Sequence, residues 1–67
     1  MNKMTMKALR VNAGFTQKKA AKALGVSLST LCSWEKNYTS PPFEKLARMA
    51  SLYGCEVGDF SVPTNHA

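Results

Sequence analysis

Histidine, cysteine and acidic side chains are all scarce in this chain. Its 67 residues hold one histidine, His66, two cysteines, Cys32 and Cys55, and four carboxylates. A metal centre needs several ligands at matched spacing, and a lone histidine with two distant cysteines does not supply them. Neither a metal nor a cofactor is expected. The first residues, Met1 to Met6, lack the apolar core of a secretory leader, so the cysteines are expected to be free thiols acting as small, half-buried apolar side chains. No run approaches the roughly 18 apolar residues of a membrane span. The expected compartment is the cytoplasm. A Ser/His/Asp set, a phosphate loop and a paired-carboxylate motif are missing too, which argues against an enzyme and a small-molecule substrate. No stretch alternates apolar and polar residues cleanly, which argues against strands.

What is present is short, helical and basic. A chain of this length forms one domain and buries only about 60% of its extended surface, so its core is small. The expected domain is 1–67, with an ordered part of about 5–60 and a mobile tail over 61–67. Charge is unevenly spread. Residues 1–37 carry Lys3, Lys7, Arg10, Lys18, Lys19, Lys22 and Lys36 against Glu35 alone. Residues 38–67 carry Lys45 and Arg48 against Glu44, Glu56 and Asp59. The first half thus carries +6 and the second −1, for a net +5, and so one-sided a charge suits a polyanion, nucleic acid before membrane.

Apolar spacing and capping residues predict an all-α fold of five helices. The first follows Thr5 and ends at Ala13-Gly14, with Met6 and Leu9 inward. The second follows Thr16 and runs from Gln17 to Leu24 before Gly25, with Ala20, Ala21 and Leu24 inward. The third follows Ser27 and runs from Leu28 to about Lys36, with Leu31 and Trp34 inward and Asn37 able to adopt the left-handed cap. The fourth opens at Pro41-Pro42 and reaches Tyr53, with Leu46, Met49, Ala50 and Tyr53 inward. A short fifth turn covers Val57 to Phe60.

The segment from Gln17 to Lys36 combines two short helices, a turn at Gly25, small Ala21 at the crossing, and Val26, Leu31 and Trp34 to lock the angle. Together these make a helix-turn-helix, which presents its second helix to a major groove. Gly14-Phe15-Thr16-Gln17, Ala21, Leu24-Gly25-Val26-Ser27, Ser29-Thr30-Leu31 and Trp34-Glu35 resemble the Cro/cI-type (XRE) helix-turn-helix family of phage and bacterial regulators. Phe43-Glu44-Lys45-Leu46, Met49-Ala50 and Tyr53-Gly54-Cys55 resemble its fourth helix and the turn beyond. The resemblance covers about residues 6 to 60. It implies a compact five-helix, lambda-repressor-like domain in a bacterial nucleoid, binding double-stranded operator DNA as a homodimer. It also implies an ion pair between Arg10 and Glu35. The chain departs from the family at Leu28, where Gln is common, at Lys36-Asn37 and at Ala20.

With Leu31 and Trp34 inward, the outward face of the third helix is Leu28, Ser29, Cys32, Ser33 and Lys36. Leu28, Ser29, Cys32 and Ser33 are the expected base readers, Leu28 against a thymine methyl and the hydroxyls at base edges. Gln17, Lys18, Lys19, Ser27, Lys36, Asn37, Tyr38, Thr39 and Ser40 are the expected phosphate contacts. Lys18 and Lys19 sit where the helix dipole disfavours cations by about 0.5 kcal/mol, a cost that an anion at this helix end would offset. Leu52, Val57 and Phe60 are candidate dimer contacts whose alternative is plain core. A second reading of the same scaffold is a protein-interaction module, antitoxin-like or anti-repressor.

Overall fold

Hydroxyl side chains start the first three helices, and left-handed residues stop all four. A computed structural model describes residues 4–60; the tail expected to be mobile over 61–67 lies outside the described residues. Helices α1 (Met6–Asn12), α2 (Gln17–Leu24), α3 (Leu28–Glu35) and α4 (Phe43–Tyr53) follow in order, then a 3-10 turn at Val57–Asp59. The expected fifth helix is thus a single turn, and Phe60 is already extended beyond it. Among the described residues the only strand-like pairing is one parallel bridge between Met4 and Phe60, with the Met4 N–H donating to the Asp59 carbonyl at 2.9 Å.

Thr5, Thr16 and Ser27 are extended, and each hydroxyl accepts the N–H three residues on, from Ala8, Lys19 and Thr30. One donor left open by each helix start is satisfied this way. The helix ends repeat one pattern. The N–H groups of Phe15, Val26, Tyr38 and Cys55 donate back to the carbonyls of Arg10, Ala21, Ser33 and Ala50 at 2.9 to 3.1 Å. This closing bond requires a left-handed residue just before it. Gly25 at φ 73° meets that need between α2 and α3. Asn37 meets it after α3 at φ 64°, the only non-glycine residue with positive φ among the described residues.

The start of α4 differs from the sequence expectation. Pro42 is extended at φ −64° and ψ 157°, and the helix begins at Phe43. Pro42 holds Pro41 out of the helical region, since the proline ring crowds the residue before it. The Pro42 carbonyl then accepts the Leu46 N–H at 3.0 Å.

The core gathers Met6 from α1, Ala20, Ala21 and Leu24 from α2, Leu31 and Trp34 from α3, Met49, Ala50 and Tyr53 from α4, and Phe60. Ala20 and Ala21 lack side-chain bulk, which lets α2 lie close to its neighbours. Leu9, Phe15, Val26 and Leu46 are half-buried around this centre. Phe60 is only 2% exposed. It therefore belongs to the core rather than to a contact surface for a second copy; Leu52 and Val57 are half-buried against the core. Lys45 adds a tie between elements, its ammonium donating to the Leu24 carbonyl at 3.1 Å. A cation at the end of α2 is also favoured by the helix dipole.

Candidate functional site

Helix α3 buries one side and leaves its first turn open. Leu31 and Trp34 enter the core, while Leu28 is 47% exposed and Ser29 is exposed beside it. Single exposed apolar side chains are common. Here the leucine stands at the free tip of the helix that the turn at Gly25 projects. Ser27 caps that tip, and its own hydroxyl hydrogen goes to Thr30 Oγ1 at 2.9 Å.

Farther along, the outward face is less free than the sequence predicts. Cys32 and Ser33 are half-buried rather than fully outward. The Cys32 thiol donates to Gln17 Oε1 at 3.4 Å. Ser33 Oγ and Thr39 Oγ1 share a hydrogen bond of 2.9 Å, which draws the loop after α3 against the helix. Ser29, Cys32, Ser33, Lys36 and Tyr38 together line an open hollow of about 280 Å³. Lys36, Asn37, Tyr38, Thr39 and Ser40 are all exposed, Tyr38 at 77%. A cation and a phenol thus flank the end of the same helix whose first turn carries Leu28 and Ser29.

The start of α2 supplies the second group. Lys18 and Lys19 are exposed in its first turn. No acidic residue occupies that turn, so nothing on α2 itself balances the two ammonium groups there. Gln17 is half-buried, and its amide is engaged at both ends. Its Nε2 donates to Glu35 Oε1 at 3.0 Å, and its Oε1 accepts from Cys32. One amide hydrogen remains for an outside acceptor.

Beneath these residues lies a buried ion pair. Arg10 Nε donates to Glu35 Oε2 at 2.7 Å, with side chains 7% and 3% exposed. Arg10 Nη2 reaches Glu35 Oε1 at 3.3 Å, and Nη1 donates to the Phe15 carbonyl at 2.7 Å. The guanidinium therefore links α1, the α1–α2 loop and the end of α3. Both carboxylate oxygens are satisfied, which is what a charge this deep requires. Tyr53 from α4 completes the cluster, its ring 6.0 Å from that of Phe15. Its hydroxyl is buried without a hydrogen-bond partner. Burial, and then the Glu35 carboxylate, push its pKa up to about 12, with Arg10 acting in the opposite direction.

Sequence reasoning missed the bonds of Gln17 to Glu35 and Cys32, the Lys45 tie and the buried Tyr53 hydroxyl. All depend on how separate elements pack. A cation four residues before the inward Met49 is the only signal that hinted at Lys45. Among the described residues no helix is long and apolar enough to cross a membrane.

A helix-turn-helix family model matches residues 6–60. The HTH-type transcriptional regulator ImmR of Bacillus subtilis (strain 168) is 35% identical over 48 residues, covering 72% of this chain and 38% of that protein. The chain thus spans well under half the length of this relative. No solved structure matches the chain.

Proposed function

Because the chain belongs to the helix-turn-helix family, we propose that it is a sequence-specific double-stranded DNA-binding transcriptional regulator. The observation that carries this reading is the open first turn of α3, with Leu28 and Ser29 exposed ahead of the hollow lined by Ser33, Lys36 and Tyr38. In the proposed complex α3 enters the major groove. Leu28 contacts a thymine methyl, and Ser29 and Ser33 meet base edges, with Cys32 lining the same face. Arg10 and Glu35 hold the angle of α3 from behind. Lys18, Lys19 and Lys36 neutralise phosphates. Gln17, the backbone at Ser27 and the Asn37, Tyr38, Thr39 and Ser40 loop add uncharged phosphate contacts.

One domain covers one half-site, so the regulator acts as a homodimer on a dyad operator with centres about 34 Å apart. The dimer surface is assigned to α4 and the turn after it, where the chain carries little net charge. With three phosphates neutralised per half-site by Lys18, Lys19 and Lys36, the log–log salt slope of the dimer is about −5. The role proposed for this domain is Cro-like, or that of a small repressor.

The test is selection of duplexes from a random library, repeated with Ser29→Ala and Ser33→Ala. The expected result is a dyad motif that relaxes at defined positions in the variants. A chain that enriches no motif, with a shallow salt slope, would instead act through a protein partner.

A further inference from the structure

The thiol of Cys32 faces the reading surface, yet its hydrogen is already in use. It donates to Gln17 Oε1 at 3.4 Å, so it is not free to donate to a base edge. On the other side of the same amide, Nε2 donates to Glu35 Oε1 at 3.0 Å. That carboxylate is held in turn by Arg10 at 2.7 Å. Four residues from three helices therefore form one directed chain, from guanidinium through carboxylate and amide to thiol.

A primary amide can flip end for end, and the two ends have opposite hydrogen-bonding character. Here the flip is blocked twice. Reversal would turn the amide oxygen toward the Glu35 carboxylate and the amide hydrogens toward a thiol, which is a weak acceptor. The amide nitrogen is thereby held at the carboxylate, and its second hydrogen has one fixed direction. Gln17 is the first residue of α2, and Thr16 satisfies only the Lys19 N–H in that turn. A fixed side-chain donor beside open backbone donors suits a single phosphate oxygen.

We propose that Cys32 is a positioning residue for the Gln17 phosphate contact rather than a base reader. This rests on the DNA-binding reading above and refines one position within it. Its consequence is a coupling between the two helices of the motif. The thiol on α3 helps to set how the start of α2 grips the backbone, so the base-reading helix and the phosphate grip share one register.

The test is a scan of the selected duplex with single neutral methylphosphonate substitutions, run on the full chain and its variants. In the wild type one substitution at each half-site weakens binding through Gln17. Gln17→Ala abolishes sensitivity at that phosphate. Cys32→Ala leaves the Glu35 bond but loosens the amide, so it weakens that sensitivity and lowers affinity roughly threefold to tenfold, the range of one uncharged hydrogen bond. The salt slope stays unchanged, because Gln17 carries no charge and releases no counterion. Cys32→Ser restores a donor and recovers both the affinity and the phosphate footprint. Cys32→Val fills the space without a donor and behaves as Cys32→Ala does, which separates the effect from loss of packing. The selected motif is the same for every Cys32 variant.

The inference is overturned if Cys32→Ala and Cys32→Val keep the wild-type footprint, or if they relax one base position while the footprint stays. A wild-type chain that binds no duplex overturns the DNA-binding reading itself, and so fails at an earlier and separate step.

Discussion

The two ends of α3 are held by different forces. Its first turn is set by backbone geometry and apolar contact: the left-handed Gly25, the Ser27 cap, and Leu24 with Leu31 in the core. Its last turn is gripped by directional polar bonds. Glu35 meets Arg10 and Gln17, Cys32 meets Gln17, and Ser33 meets Thr39. The difference leaves Leu28 and Ser29 exposed at the open tip, while the far end is clamped. One end of the helix is thus oriented by angle-dependent bonds and the other is left exposed, an arrangement that suits the proposed reading role.

The sharpest way to break this contrast is to remove the clamp. Glu35→Ala leaves the Arg10 charge buried and unpaired, and should cost about 3–5 kcal/mol of unfolding free energy. For a small domain that is a large share of total stability. Replacing both partners at once, with Arg10→Met and Glu35→Leu, should recover much of the loss, because no buried charge remains. Denaturant unfolding measures both. A Glu35→Ala loss below about 1 kcal/mol, in the range of exposed pairs, would mean that the clamp is a surface contact.

Tyr53 offers a test of the same buried cluster by pH. Its folded-state pKa is about 12 against an ordinary 10.0, so the fold favours the neutral phenol. The associated stability is whole below pH 10 and is lost as pH rises through 12. The loss should be about 2–3 kcal/mol, following the usual linkage between protonation and folding. Tyr53→Phe removes this component, so the wild-type stability curve should fall relative to the variant's above pH 10. Parallel curves from pH 9 to 12 would exclude a buried hydroxyl.

Smaller changes sharpen the other end. Ser27→Ala removes the cap at the tip of α3 and should cost about 1 kcal/mol. Asn37→Gly, after the clamped end, should stabilise by about 0.5 kcal/mol, because glycine enters the left-handed region without side-chain strain. Thermal unfolding distinguishes the two by sign. A destabilised Asn37→Gly would show that the asparagine side chain has a role beyond its backbone conformation.

Much of the fold is legible in the residue order because its determinants are local. Thr5, Thr16 and Ser27 mark helix starts, and Gly14, Gly25, Asn37 and Gly54 mark ends, since caps and left-handed turns act within a few residues. The inward stripes of α2, α3 and α4 follow from periodicity, apart from the half-buried Leu46. The fifth helix proved to be a single 3-10 turn, because the five residues between Gly54 and Phe60 give too short a run to propagate α-helical bonds. Phe60 shows the limit plainly: an apolar residue near the chain end reads equally well as contact surface or as core, and burial alone distinguishes the two.

The candidate site divides along the same line. Leu28 and Ser29 could be placed on an open face from helical spacing alone, because spacing fixes which residues share a side. Whether Cys32, Ser33 and Gln17 are free could not be read that way. Their partners stand six to eighteen residues distant in the chain, and the packing of α2 across α3, with the loop after α3 folded back on Ser33, brings them together. Residue order thus determined the helices, their limits and the basic half of the molecule, through forces that act over one or two turns. Tertiary structure alone decided which polar groups are already spent on one another, because a hydrogen bond depends on distances and angles that no local pattern encodes.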